Sequence, residues 1–141
     1  MSESHYVLIE SRDPFDSADT GFVADTAAAL RIIASALRKG INVNVFAYEG
    51  AVSLTMKDQA PHANPVKGTS VEEEDHPTTK DLVAALVELG RSEPKLTWVN
   101  CGLCVDERGA GNWIDGVKRG GPADFYKMAT ESSRTLVIPT R

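Results

Sequence analysis

The sequence predicts a single α/β domain with three layers, in which helices cover an open, mostly parallel sheet. Two observations predict this class. Short apolar runs rich in β-branched residues alternate with amphipathic helical patterns along the whole chain. In addition, a strand, a helix and a second strand follow one another within residues 6–47, which is the βαβ arrangement of parallel strands. The 141 residues suffice for one domain with its own core.

The first half of the chain contains the βαβ unit. Residues 6–10 form an apolar run that predicts a buried strand, and residues 41–47 alternate as a second strand does. Between them, one helical face carries Val23, Ala27, Leu30, Ala34 and Leu37. Gly40 follows as the expected cap. We expect a short helix over 49–56 and a flexible loop over 57–77, which holds three prolines and an acidic run.

The second half repeats the alternation. Thr78 is the expected cap of a helix that ends at Gly90, and residues 95–99 form the third clear strand. After the cysteine segment we predict a short helix over 113–117, a final helix over 123–132 and a last strand over 136–138. No internal repeat or second domain is visible, so residues 1–141 are predicted to form one domain.

Composition excludes several classes of function. A net charge of −5 argues against a nucleic-acid-binding protein, and no apolar stretch is long enough for a membrane span. Residues 1–5 lack the basic and apolar regions of a signal peptide, so we expect a cytoplasmic protein. No nucleotide-binding glycine motif is present, and we expect no cofactor. Two cysteines in a cytoplasmic chain are typical of catalytic or redox chemistry.

The two cysteines, Cys101 and Cys104, directly follow the third strand and residue Asn100. In open parallel sheets the functional crevice lies outside the carboxyl ends of the strands. The polar stretch after the first strand, with Asp13 and Ser17, should reach the same edge. We therefore predict a site that is built on the cysteine pair and supported by these polar residues.

A reactive cysteine needs cations or backbone N–H donors that stabilise its thiolate. The nearest candidates in sequence are the amides of the turn that begins at Gly102, and the guanidinium of Arg108. Asp106 and its acidic neighbour oppose them. Gly109 ends the segment and should break any helix there.

Four interpretations of the pair remain open on the residues alone. Cys101 can be a nucleophile that carries sulfur, or the pair can be a thioredoxin-type dithiol, although that motif normally begins a longer helix. Half a zinc site is disfavoured, because His5, His62 and His76 are not at ligand spacing, and we expect no metal. Alternatively, both thiols are small buried hydrophobic groups at a strand end.

The C-terminal third resembles the DsrE/DsrF-like family of small sulfur-relay proteins, especially its YchN-like branch. The resemblance rests on the pattern Cys101-x-x-Cys104-x-Asp106-x-Arg108-Gly109, followed by Ile114-Asp115-Gly116-Val117-x-x-Gly120. It implies an α/β/α fold, a homo-oligomer of three or six chains, and a cysteine that accepts sulfur as a persulfide. It also implies that Cys101 is the carrier, since the family's carrier lies eight residues before the glycine of an arginine-glycine pair.

The resulting hypothesis is a sulfurtransferase-like carrier that receives sulfur on Cys101 and relays it between a donor and an acceptor protein. Cys104 would release the sulfur by forming a disulfide, and Arg108 would stabilise the anion. Two rival hypotheses are a non-catalytic oligomer that binds a small ligand in the crevice, and a thiol-disulfide redox protein.

Overall fold

A computed structural model describes the backbone of residues 4–11, 20–59, 62–63, 75–76 and 78–140, and the side chains of 28–59 and 78–138. Its strands are β1 Ser4–Ser11, β2 Asn42–Glu49, β3 His62–Ala63, β4 Asp75–His76, β5 Leu96–Cys101, β6 Val117–Gly120 and β7 Arg134–Thr140. Its helices are α1 Thr20–Arg38, α2 Thr79–Leu89, α3 Gly102–Arg108 and α4 Pro122–Glu131, with a 3-10 helix at Gly50–Thr55. Among these described helices, none has the length and apolar character that a bilayer crossing needs.

The main sheet has five strands in the order β6-β5-β2-β1-β7, and each neighbouring pair is parallel. This confirms the predicted α/β class. Strand β1 lies in the interior of the sheet. From β1 the strands follow one another outward through β2 and β5 to the edge strand β6, and β7 forms the other edge. Parallel pairing brings the carboxyl ends of all five strands to one edge, where the 3-10 helix that follows β2 lies beside α3, which follows β5.

Helices lie on both faces of the sheet. Val43 faces α1, whereas Phe46 points to the opposite face and packs against Phe125 of α4 with ring centroids 5.4 Å apart. Side chains alternate along a strand, so Val45 and its sheet partner Trp98 lie on the α1 side. Trp98, Val45 and Ile33 are almost completely buried, and the core is therefore concentrated between the sheet, α1 and α2.

Two predicted elements differ from the structure. Residues 113–117 do not form a helix: Trp113 makes an isolated antiparallel bridge with Met56, and a turn leads into β6. The cysteine segment is a helix, α3, rather than a turn. Both errors arise because the elements that form in these regions are short. Strand β6 has four residues and helix α3 has seven, too few to show a period.

The segment 57–77, predicted as a flexible loop, is described only in part. Its first three residues continue the chain from the 3-10 helix, and the Gln59 amide donates hydrogen bonds to the carbonyls of Ser53 and Leu54. Further along, β3 and β4 pair with each other in antiparallel fashion. The rest of the segment lies outside the described residues, and its predicted flexibility stays a prediction.

A close approach between α2 and β5 generates a first prediction. A Cβ atom at Gly90, which ends α2, would lie 2.3 Å from the Cβ atom and 2.7 Å from the backbone nitrogen of Leu96. Since backbone must shift, we expect Gly90→Ala to lower the free energy of unfolding by about 1–3 kcal/mol, measured by urea denaturation. Gly111→Ala is the matched control, because its Cβ would approach nothing closer than 4.0 Å. Equal stability of the two variants would contradict this packing.

Candidate functional site

The cysteine pair lies where β2 and β5 end beside each other. Ala47 of β2 pairs with Asn100 of β5, so that the last residues of the two strands, Glu49 and Cys101, lie at the same carboxyl edge. This is the edge at which parallel sheets place their functional crevices. The geometry brings together Glu49 and Cys101, which end the two strands, and Cys104, which lies in the helix that follows β5.

Helix α3 begins immediately after Cys101, which occupies its N-cap position. Within this described turn the Cys101 side chain makes no capping hydrogen bond, so its sulfur is not committed to the helix. The helix has seven residues and ends at Gly109, whose φ of 60° is left-handed. Glycine adopts this conformation without steric cost, which explains why the helix stops there, as the sequence predicted.

Both thiols are free and buried, with exposed fractions of 3% for Cys101 and 4% for Cys104. Burial above all, together with the neighbouring Cys101 thiol, raises the pKa of the Cys104 thiol from 9.0 to about 11. At neutral pH the Cys104 thiol therefore keeps its proton.

Glu49, the last residue of β2, contacts Cys104 through its backbone. Its backbone has φ 56° and ψ −133°, a conformation that residues other than glycine rarely adopt. With this backbone its N–H group donates a hydrogen bond to Cys104 Sγ at 3.1 Å. Strained residues of this kind cluster at functional sites, where the strain fixes the direction of a group. Here the group is a backbone N–H that points at sulfur.

Arg108 also meets Glu49. Its Nη2 donates to the Glu49 carboxylate at 2.7 Å, and its Nη1 lies 3.7 Å from the carboxylate of Glu107. Two carboxylates thus surround this predicted anion-stabilising residue. The ion pair with Glu49 is partly buried and connects the end of α3 to the end of β2. Through this ion pair Arg108 stabilises the position of Glu49, whose N–H group contacts Cys104.

A second arginine, Arg119 of β6, lies on the other side of the pair. Its guanidinium is so close to Gly102 that a Cβ atom there would lie 2.8 Å from Nε and 2.9 Å from Cζ. Both terminal nitrogens donate to the carboxylate of Asp106, at 3.1 and 2.7 Å. This fork lowers the pKa of Asp106 and keeps both side chains charged.

Asn100 has its contacts in the interior. Its side chain is completely buried, accepts a hydrogen bond from Trp98 Nε1 at 3.2 Å and donates to Thr55 Oγ1 at 2.9 Å. Thr55 Oγ1 donates in turn to the carbonyl of Val52. These bonds tie the end of β5 to the 3-10 helix, so that Asn100 supports the site from below.

The structure thus groups Cys101, Cys104, Gly102, Asp106 and Arg108 around the start and end of α3, with Gly109 as its stop. Asp13 and Ser17, the predicted support from the loop after β1, lie outside the described residues. In the described part of the chain no group of three or more potential metal ligands occurs.

Sequence reasoning missed Glu49 and Arg119. A signal for Glu49 existed, because the end of the second strand must neighbour the end of the third when the two strands pair. Arg119 carried no comparable signal, since residues 113–117 were assigned to a helix. Only the short strand β6, which pairs Arg119 with Asn100, brings this arginine to the cysteines.

Comparison with known proteins identifies a family and a similar fold. The model of the DsrE/DsrF-like family matches residues 15–138. Among solved structures, the ychN protein from E. coli is similar with a TM-score of 0.60 and 18% sequence identity, over 97% of this chain and 99% of that one. At this identity the structural likeness concerns the fold. No curated protein matches the chain.

The raised pKa of Cys104 generates a second prediction. The folded value of about 11 exceeds the unfolded value of 9.0, so the protonated thiol contributes stability in full below pH 9. That contribution, on the order of 2 kcal/mol, is lost as the pH rises from 9 to 11. Urea unfolding at pH 8, 9.5 and 10.5 should show a steeper loss for the wild type than for Cys104→Ser. Parallel losses would mean that burial does not hold this proton.

Proposed function

We propose that this chain, which belongs to the DsrE/DsrF-like family, is a sulfur carrier that accepts a sulfane sulfur atom on Cys101 as a persulfide. The observation that carries the proposal is the asymmetric thiol pair at the carboxyl edge of the sheet. The sulfur of Cys104 accepts a hydrogen bond from the Glu49 N–H group, and burial raises the pKa of this thiol. The sulfur of Cys101 makes no capping hydrogen bond to α3, and we therefore assign the nucleophilic attack to Cys101.

The transfer step forms one S–S bond and breaks another. The Cys101 thiolate attacks the outer sulfur of a donor persulfide, R–S–SH, and the R–S⁻ thiolate leaves, so that Cys101–S–SH remains on the carrier. No net oxidation occurs.

The Cys101 persulfide can lose its outer sulfur atom by two routes. The outer sulfur of Cys101–S–SH can be attacked by an acceptor thiolate, which restores the Cys101 thiolate. Alternatively, the Cys104 thiolate attacks the inner sulfur, which forms the Cys101–Cys104 disulfide and releases hydrosulfide. The second route first requires Cys104 to lose its proton, which its burial opposes. We propose that relay to an acceptor is the principal route.

A second candidate function is thiol-disulfide exchange. The observation that favours it is the position of the pair at the start of α3, where dithiol motifs of redox proteins also lie. Against it, the helix has only seven residues, and the second thiol is the one with the raised pKa.

We further propose that the carrier is a homo-oligomer, as the family resemblance implies, and that donor and acceptor proteins dock at the cysteine edge. Large apolar side chains in support of self-association are exposed on α1 and β7: Ile32 at 43%, Leu136 at 46% and Val137 at 49%. Ile32 and Leu136 also line a groove of about 460 Å³ between these elements. Light scattering after gel filtration measures the number of chains.

The carrier proposal predicts that Cys101→Ser abolishes sulfur loading, because the attacking sulfur is removed. The reduced protein is incubated with a sulfane-sulfur donor, and its intact mass is recorded. The wild type and Cys104→Ser should both gain the mass of one or more sulfur atoms, whereas Cys101→Ser should gain none. The far-ultraviolet circular dichroism of each variant confirms that it is folded.

Other results point elsewhere. Loading that survives in Cys101→Ser but is lost in Cys104→Ser would reverse the roles of the two thiols. A wild type that loses two hydrogens and gains no sulfur would favour the redox function. No change of mass in any form would favour a non-catalytic binding protein.

A further inference from the structure

The two arginines beside the cysteine pair differ in how their charges are used. The Arg108 guanidinium lies between two carboxylates and is only 28% exposed at its side chain. The Arg119 guanidinium has one carboxylate partner, Asp106, and its side chain is 51% exposed. Arg119 is therefore the cation of this site that an incoming molecule can reach.

The location of Arg119 places its charge next to Cys101. Its guanidinium packs on Gly102, the residue that directly follows Cys101, and a side chain at position 102 would displace it. The hydrogen bonds that Arg119 donates to Asp106 raise the pKa of Arg119 most, and the negative charge of a Cys101 thiolate adds to that rise. Both observations describe a permanent cation within electrostatic range of the reacting sulfur.

We propose that Arg119 is the anion-recognition residue of this site, and that it binds the negatively charged group of an anionic sulfane-sulfur donor. The suitable chemical class is a persulfide anion or a thiosulfate-type dianion. Asp106 holds the guanidinium over Gly102 until the donor's anionic group replaces the carboxylate as its partner. The inference rests on the carrier function proposed above and specifies that the sulfur donor is negatively charged.

Electrostatics explains why such a residue is required. A thiolate that attacks an anionic donor brings two negative charges together, and the chain itself is acidic, with a net charge of −5. Glu49, Asp106 and Glu107 all lie around α3 and add to this repulsion. A cation fixed beside Cys101 offsets it. The planar fork of arginine also fits the oxygen atoms of a thiosulfate-type group.

For a thiosulfate-type donor the transfer step again balances. The Cys101 thiolate attacks the outer sulfur of S–SO₃²⁻, the S–S bond of the donor breaks, and sulfite leaves with the bonding electron pair. Cys101–S–S⁻ remains on the carrier. Arg119 contacts the oxyanion and supplies no electrons or protons.

The test compares two reagents that differ in charge and react with any accessible thiol. Iodoacetate is an anion and iodoacetamide is neutral, so the ratio of their rates at Cys101 reports attraction of negative charge independently of access. A Cys104→Ser background leaves one thiol. We expect Arg119→Gln to lower the ratio of the iodoacetate rate to the iodoacetamide rate roughly fivefold. Arg119→Lys should retain most of this ratio, because lysine keeps the positive charge.

Three further variants sharpen the test. Gly102→Ala should lower the ratio as Arg119→Gln does, because the new Cβ displaces the guanidinium, whereas the control Gly111→Ala meets no close atom and should not. Asp106→Asn should raise the ratio, since it frees the guanidinium. Lys118→Gln removes one exposed positive charge from the same strand and should leave the ratio unchanged.

The outcomes separate this inference from the carrier function. An unchanged ratio in Arg119→Gln overturns the inference, even if thiosulfate still loads sulfur on Cys101. An equal drop in Lys118→Gln also overturns it, because net charge would then suffice. A ratio that falls only in Arg119→Gln and Gly102→Ala supports the anion site, and does so even if no sulfur is ever loaded and the carrier function fails.

Discussion

The parallel register between β2 and β5 determines where Glu49 lies relative to the cysteine pair. It pairs Ala47 with Asn100 and so aligns the ends of two neighbouring strands. One strand then contributes the N–H group of Glu49 and the other contributes Cys101. A shift by one residue would turn Asn100 away from Thr55 and Cys101 to the opposite face, because side chains alternate along a strand. The buried bonds of Asn100 therefore protect the geometry of the thiols.

Around this register the protein arranges charges that nearly cancel. Glu49 and Arg108 neutralise each other, and Asp106 and Arg119 do the same. The first pair is partly buried and connects two elements of the frame, whereas the second is exposed and lies over the start of α3. Exposed ion pairs contribute little to stability, so the second pair has no strong structural reason to exist. Its partners can separate at small cost, which suits the exchange of anions that we propose for Arg119.

Much of the fold follows from the sequence because its long elements have clear periods. The stripe from Leu30 to Leu37 and the alternation after Gly40 suffice to predict the βαβ unit and the parallel sheet. The cysteine pair was also predictable, since it directly follows a buried strand. What the sequence does not reveal are contacts that depend on short elements. Strand β6 has four residues, and the position of Arg119 beside Gly102 exists only because this strand pairs with β5.

The burial of both thiols has a consequence for the kind of molecule that can meet them. Under the carrier function proposed above, a sulfur atom on Cys101, a residue that is 3% exposed, would be shielded from large thiols in bulk solution that could reduce it. Exchange is then restricted to reagents that are small or that present their sulfur on a narrow projecting segment. A carrier of this kind would discriminate by size before any chemistry takes place, and the lifetime of its stored sulfur would depend on the shape of its surroundings more than on its reactivity.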